Sequence, residues 1–212
     1  PIGDRLILRG SRLLRAWCGL AAREPGDLDY VVDPPTERID EPWASRLEAA
    51  LTSAVCDAPG PAGIEFQRGD VASDDIWTYE RAPGRRVVFP WRAAGLPGGT
   101  VQLDAVFGEP LFDPAQSGAI PLEDGGCVVV RHATPSQSLA WKVMWLESDM
   151  YPQGKDLYDT VLLAERHPLP RALLDLCLRW ADVVDENAAV PRGPRPDGGA
   201  SEMVTALSEI RG

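Results

Sequence analysis

The sequence predicts a mixed α/β fold of the α+β kind, on three observations. It opens with an apolar strand, a Gly-Ser turn and an amphipathic helix. Residues 64–107 are a run of β-patterned segments divided by Pro/Gly turns, and from Thr134 onward the apolar spacing is helical. The chain is therefore expected to divide into an α/β part, residues 1–133, and a helical part, residues 134–212.

Each element has a local reason. Residues 5–9 form a short strand that Gly10-Ser11 breaks, and Leu13, Leu14, Trp17, Cys18 and Ala21 then trace one helical face. Ser11 is placed to cap that helix, its hydroxyl accepting from a backbone N–H two or three residues on. Residues 27–33 alternate, with Leu28, Tyr30 and Val32 on one side and Asp27, Asp29 and Val31 on the other, which makes a second strand with an acidic end. Pro34-Pro35 stops it. A helix starting near Pro42 carries Trp43, Leu47, Leu51, Ala54 and Val55 inward and ends in the Pro/Gly-rich stretch 57–63.

Strands are expected over residues 64–68, 76–79, 86–91 and 101–107, with Ala82-Pro83-Gly84 and Leu96-Pro97-Gly98-Gly99 as turns, and a further strand over 127–131. Thr134-Pro-Ser-Gln137 fits a capping box before Leu139, Val143, Met144 and Leu146. Helices follow over 154–166, 171–186 and 201–210, with a linker at 191–199.

Composition bounds the function. A chain of 212 residues with 44% hydrophobic and 25% charged residues supports one substantial core and excludes two large domains. With 21 Lys+Arg against 32 Asp+Glu the net charge is −11, which argues against a broad polyphosphate-binding surface. No apolar run approaches the roughly 18 residues of a membrane helix, so a soluble chain is expected, without a membrane segment. The four cysteines, Cys18, Cys56, Cys127 and Cys177, are far apart among apolar neighbours. They point to buried thiols in a reducing, cytoplasmic setting and away from a zinc site or disulfide framework. With only His132 and His167, the sequence argues against chemistry that rests on a His-rich metal cluster. Because the first residue is Pro1, the natural chain is expected to begin upstream.

The residues that carry chemistry are few. Asp27 and Asp29 share one face of a strand and are able to ligate the same divalent cation, all-oxygen ligation of the kind that suits Mg²⁺. The same spacing also occurs at merely solvated strand ends. In the strand 101–107, Val101, Leu103, Ala105 and Phe107 face the core and Asp104 faces away. Beside Asp27 and Asp29 it would complete a three-carboxylate set for two cations. Gly10-Ser11 at a helix start suits a phosphate, or serves as a plain turn and cap. Lys142 offers a flexible point charge for a triphosphate. Lys155 and Asp159, four residues apart on one helix, suit an intrahelical pair, and Arg23 suits either Asp29 or a phosphate.

The order strand, Gly-Ser, helix, Asp-x-Asp strand and later strand Asp resembles the nucleotidyltransferase superfamily with the polymerase-β-like core. The closer resemblance is to the AbiEii/AbiGii-type nucleotidyltransferase toxins. It rests on Leu8-Arg-Gly-Ser-Arg-Leu-Leu14, Arg23-Glu-Pro-Gly-Asp-Leu-Asp29, Val101-Gln-Leu-Asp104, Trp141-Lys142 and Gly154-Lys-Asp-Leu-Tyr-Asp159. It departs at Pro25, where the family motif carries Ser or Thr.

The resemblance implies a mixed sheet flanked by helices, followed by a C-terminal helical region that completes the active site. It implies transfer of an NMP from an NTP with release of pyrophosphate. Asp27, Asp29 and Asp104 would be metal ligands for Mg²⁺, with Mn²⁺ as the alternative, and would be catalytic together with Lys142 and Asp159. Gly10, Ser11, Arg23, Lys142 and Lys155 would bind the nucleotide. Its expected partners are an NTP, a tRNA acceptor and a cognate antitoxin. Residues 1–24 hold five arginines against Asp4 and Glu24, 5 − 2 = +3, which suits a small electropositive mouth for one tRNA end rather than a long RNA track. A small-molecule acceptor and a non-catalytic nucleotide-binding or partner-binding module are the alternatives.

Overall fold

The computed structural model describes residues 2–58, 63–78, 82–122, 125–149 and 151–186. The helix expected over 201–210 and the linker over 191–199 lie outside the described residues. The elements, in chain order, are β1 (Leu6–Arg9), α1 (Ser11–Cys18), β2 (Leu28–Val32), α2 (Pro42–Cys56), β3 (Ile64–Phe66), β4 (Ala72–Thr78), β5 (Ala82–Ala93) and β6 (Leu96–Val106). They continue with β7 (Gln116–Pro121), β8 (Cys127–His132), α3 (Pro135–Ser148), α4 (Gly154–Ala164) and α5 (Arg171–Glu186).

The chain separates into two compact units that interleave in sequence. The first comprises the described residues up to Arg12, Glu24–Thr78 and Ala82–Pro110; the second comprises Leu13–Arg23 and the described part of Leu111–Gly212.

The first unit is built on a mixed sheet ordered β3-β5-β6-β2-β1. β2 and β6 run parallel, while β1 pairs antiparallel with β2 and β5 with β6. β5 is long enough to pair with β3 near Trp91 and with β4 from Ala82 to Val88. One sheet face packs on α2. Leu28, Tyr30 and Val32 from β2 and Leu103 and Ala105 from β6, with Phe107 beyond its end, meet Trp43, Ala44 and Leu47, as the two-residue alternation required. Leu51 and Val55 extend that helix face, but Ala54 is exposed, because the inward row runs in steps of four from Trp43 and passes Ala54 by.

Two expected turns prove to be strand. The β5–β6 hairpin turns at Ala94-Gly95, where Gly95 has φ +76°, so Leu96-Pro97-Gly98-Gly99 opens β6. Gly99 faces the Trp91 indole, and a Cβ there would collide with that ring. Ala82-Pro83-Gly84 likewise begins β5, with Gly84 opposite Val106.

The second unit holds the body of α1, the antiparallel β7–β8 hairpin and the helices α3, α4 and α5. α3 packs on both α4 and α5. Leu14, Leu139, Val143, Leu162, Leu163 and Leu174 form its core. α1 ends at Cys18 and Gly19 has φ +56°, so Ala21, expected on the buried face, is exposed and Ala22 is buried in its place. β7 was not anticipated, its Gly118 and Pro121 masking the strand pattern. Thr134 caps α3 as expected, its Oγ1 accepting from Gln137 N at 3.0 Å. The reciprocal half of the capping box is not made. The Gln137 side chain turns instead to the backbone N–H groups of Phe112 and Asp113, at 3.0 and 2.9 Å. No helix among the described residues is long and apolar enough to cross a membrane.

Candidate active site

In the first unit, the parallel pairing of β2 and β6 sets Asp29 directly beside Asp104. Asp27 stands just before β2, and the three aspartates each offer an oxygen within 4.8 Å of the others. Three carboxylates this close repel one another unless positive charge lies among them. The donor set is all oxygen, which fits Mg²⁺ or Mn²⁺.

β1 brings the phosphate-type turn to the same strands. Arg9 lies opposite Asp29 in the β1–β2 ladder, and Gly10 follows with φ +78°. A Cβ on Gly10 would collide with the Asp29 carboxylate, so backbone conformation and close approach both require glycine. Ser11 is the first residue of α1 rather than its cap. Its Oγ is buried, with the residue 2% exposed, and has no hydrogen-bond partner among the described residues. A capping role would have consumed that oxygen. A buried hydroxyl left open at a helix N-terminus could donate to an anion.

Two arginines that sequence reasoning missed complete this region. Arg86, paired with Asp104 across β5 and β6, donates from Nε to Oδ1 at 2.9 Å and from Nη2 to Oδ2 at 2.7 Å. Gln102 Nε2 adds a bond to Oδ2 at 3.2 Å. The bonds to Asp104, with the negative field of Asp27 and Asp29, push the Arg86 pKa above its ordinary value, against a smaller opposing effect of burial. Arg9 makes a buried ion pair with Glu109, Nη1 to Oε2 at 2.6 Å. The Arg85-Arg86 pair in a strand signals one arginine per sheet face, but only the strand register shows which carboxylate each meets.

The second unit holds a separate ionic cluster. Lys142 of α3, 4% exposed, donates from Nζ to Asp156 Oδ1 at 2.6 Å and to Asp159 Oδ2 at 3.0 Å, both on α4. The Nζ also sits 5.4 Å from the centroid of the Trp145 ring. Arg23 closes the group, its Nε lying 3.2 Å from both Asp159 oxygens, so the carboxylate it pairs with is Asp159 rather than Asp29. Lys155 is exposed and has no side-chain partner among the described residues; Asp159 is held by Lys142 and Arg23 instead. Helical periodicity explains the split, since Asp156 and Asp159 face α3 while Lys155 lies off that face. Trp141 is buried and stacks on Trp145, a core arrangement. His132 is buried with its Nδ1 2.8 Å from Ala133 O.

A family model described as "Nucleotidyl transferase AbiEii toxin, Type IV TA system" matches residues 1–204. Among solved structures, MenT4, a nucleotidyltransferase toxin from Mycobacterium tuberculosis H37Rv, is similar with a TM-score of 0.60 at 17% identity. That match covers 98% of this chain and 73% of MenT4. An antigenic nucleotidyltransferase-like protein from Paracoccidioides brasiliensis aligns with a TM-score of 0.48 at 14% identity, over 96% of this chain and 84% of its own. No curated protein matches the chain.

Proposed function

The chain belongs to the AbiEii nucleotidyltransferase toxin family, and from that premise we propose that it transfers an NMP from an NTP to an RNA acceptor of the tRNA class, releasing pyrophosphate, with a cognate antitoxin as its partner. The observation that carries this reading is the set Asp27, Asp29 and Asp104, with oxygens within 4.8 Å of one another, beside a Gly10 that admits no side chain and a Ser11 hydroxyl that is buried and open.

The three aspartates would hold the divalent cation, Mg²⁺ or Mn²⁺, which when bound supplies positive charge for the attacking oxygen and the leaving pyrophosphate. The chain's own groups do the rest. Ser11 Oγ and the backbone at Gly10 hold phosphate oxygens. An Asp104 oxygen takes the proton of the attacking hydroxyl as its oxygen bonds to the α-phosphorus and the bond to pyrophosphate breaks. Lys142 is assigned to the phosphates through its charge, with Asp156 and Asp159 orienting its Nζ. Arg23 and Lys155 add positive charge for the nucleotide. These assignments in the second unit follow the family pattern.

The test is label transfer from each α-labelled NTP to total tRNA with Mg²⁺, comparing wild type with Asp29→Ala and Asp104→Ala. Transfer by the wild type and its loss by at least about a hundredfold in both variants is the expected result. Transfer to an aminoglycoside instead of RNA would move the acceptor to small molecules. NTP binding without any transfer would leave a binding module.

A further inference from the structure

The two arginine–carboxylate pairs of the first unit differ in one respect that matters. In the Arg9–Glu109 pair both side chains are buried, 4% and 2% exposed, and the pair is locked in the interior. Arg86 is 38% exposed, and its guanidinium bonds only to Asp104 among the described residues. It is a partly exposed cation at the edge of a three-carboxylate cluster, held by the cluster's own charge.

Asp104 is fully engaged by this contact. Its two oxygens take the bidentate fork of Arg86, and Oδ2 takes Gln102 as well. A fork of this kind uses the in-plane lone pairs that a metal ion would use. Cation and guanidinium therefore compete for the same atoms.

We propose that Arg86 is a resident counter-cation of the aspartate cluster: it holds Asp104 in place when no metal is bound, and a divalent cation must displace it from at least one Asp104 oxygen to engage all three aspartates. This rests on the reading of the triad as a cation site. The consequence is weakened affinity for a free cation. With Arg86 in place the cluster carries −3 + 1 = −2, so a cation binds firmly only when triphosphate oxygens add their own charge and ligands. The displaced guanidinium is then available to the nucleotide phosphates, for which its planar fork is suited.

The experiment is a Mn²⁺ titration of the full chain without nucleotide, read from the free-Mn²⁺ electron paramagnetic resonance signal. It compares wild type with Arg86→Gln and Arg86→Lys, and thermal melts are run with and without Mn²⁺. Arg86→Gln is expected to bind Mn²⁺ about tenfold more tightly than wild type, since an opposing unit charge is gone. It should melt lower than wild type without metal and gain more from Mn²⁺. Arg86→Lys, a point charge without the fork, should lie between. Equal or weaker binding by Arg86→Gln, with wild type binding measurably, overturns the proposal while leaving the cation site intact. If neither wild type nor Arg86→Gln binds Mn²⁺, the reading of the triad fails and this inference with it. Should Arg86→Gln not fold, Arg86→Lys decides: tighter binding than wild type supports the displacement, and unchanged or weaker binding refutes it.

Discussion

Ser11 shows how a single residue separates stability from function. A buried hydroxyl without a partner costs on the order of 1–3 kcal/mol of lost solvation, and nothing in the fold returns it. Ser11→Ala is therefore expected to leave stability unchanged or raise it by up to about 1 kcal/mol in a denaturant melt, while NTP-dependent transfer falls about tenfold or more. A stability loss with undiminished transfer would make the hydroxyl a packing group. The dipeptide Gly10-Ser11 was legible in the sequence, but its assignment as a cap was not correct. Whether a serine stands before a helix or in its first turn depends on one residue of boundary, which local pattern does not resolve. Arg86 was invisible for another reason: its significance lies in what stands opposite it on the neighbouring strand.

At the scale of elements, α3 and α4 are joined by a buried ion cluster as well as by apolar packing. Lys142 bonds two buried carboxylates, Asp156 and Asp159, which are 1% and 0% exposed. Lys142→Met keeps most of the side-chain volume but removes the lysine charge from both Asp156 and Asp159. It is expected to cost about 3–5 kcal/mol, measured by urea unfolding. A cost below about 1 kcal/mol would mean that the cluster is wetter than its burial indicates. The periodicities of α4 and α5 were legible, α5 to its observed bounds, because each helix carries its own apolar stripe. The strands were less so. Pro and Gly inside β5 and β6 read as turns, those of β7 hid its strand pattern, and only pairing with neighbouring strands, with a Trp91 ring laid over Gly99, makes them strand.

For the whole molecule, charge is the property that constrains the acceptor. Of the five arginines in residues 1–24, Arg5 pairs with Glu37, Arg9 with Glu109 and Arg23 with Asp159. Most of the local excess that suggested an electropositive mouth is thus neutralised inside the protein. On a chain of net charge −11, RNA binding should then involve few phosphates. The slope of log affinity against log salt concentration is expected to be shallower than about −2, since each phosphate contact contributes about −0.7 on single strands. A slope of about −4 or steeper would reveal a basic track that the arginine pairings do not predict.

The sequence by itself determined the kinds of elements and the chemistry they carry. The alternation of residues 27–33 put Asp27 and Asp29 on one side of a strand with Leu28, Tyr30 and Val32 on the other. The same alternation turned Asp104 away from the core of β6. These are local facts, set by periods of two and 3.6 residues and readable from neighbours along the chain. Tertiary structure alone decided which carboxylates meet which partners: Asp29 beside Asp104, Arg86 across from Asp104, and Lys142 between Asp156 and Asp159. Those choices come from strand register and helix packing between segments distant in sequence, where a shift of one residue would exchange the faces and no local pattern marks the match.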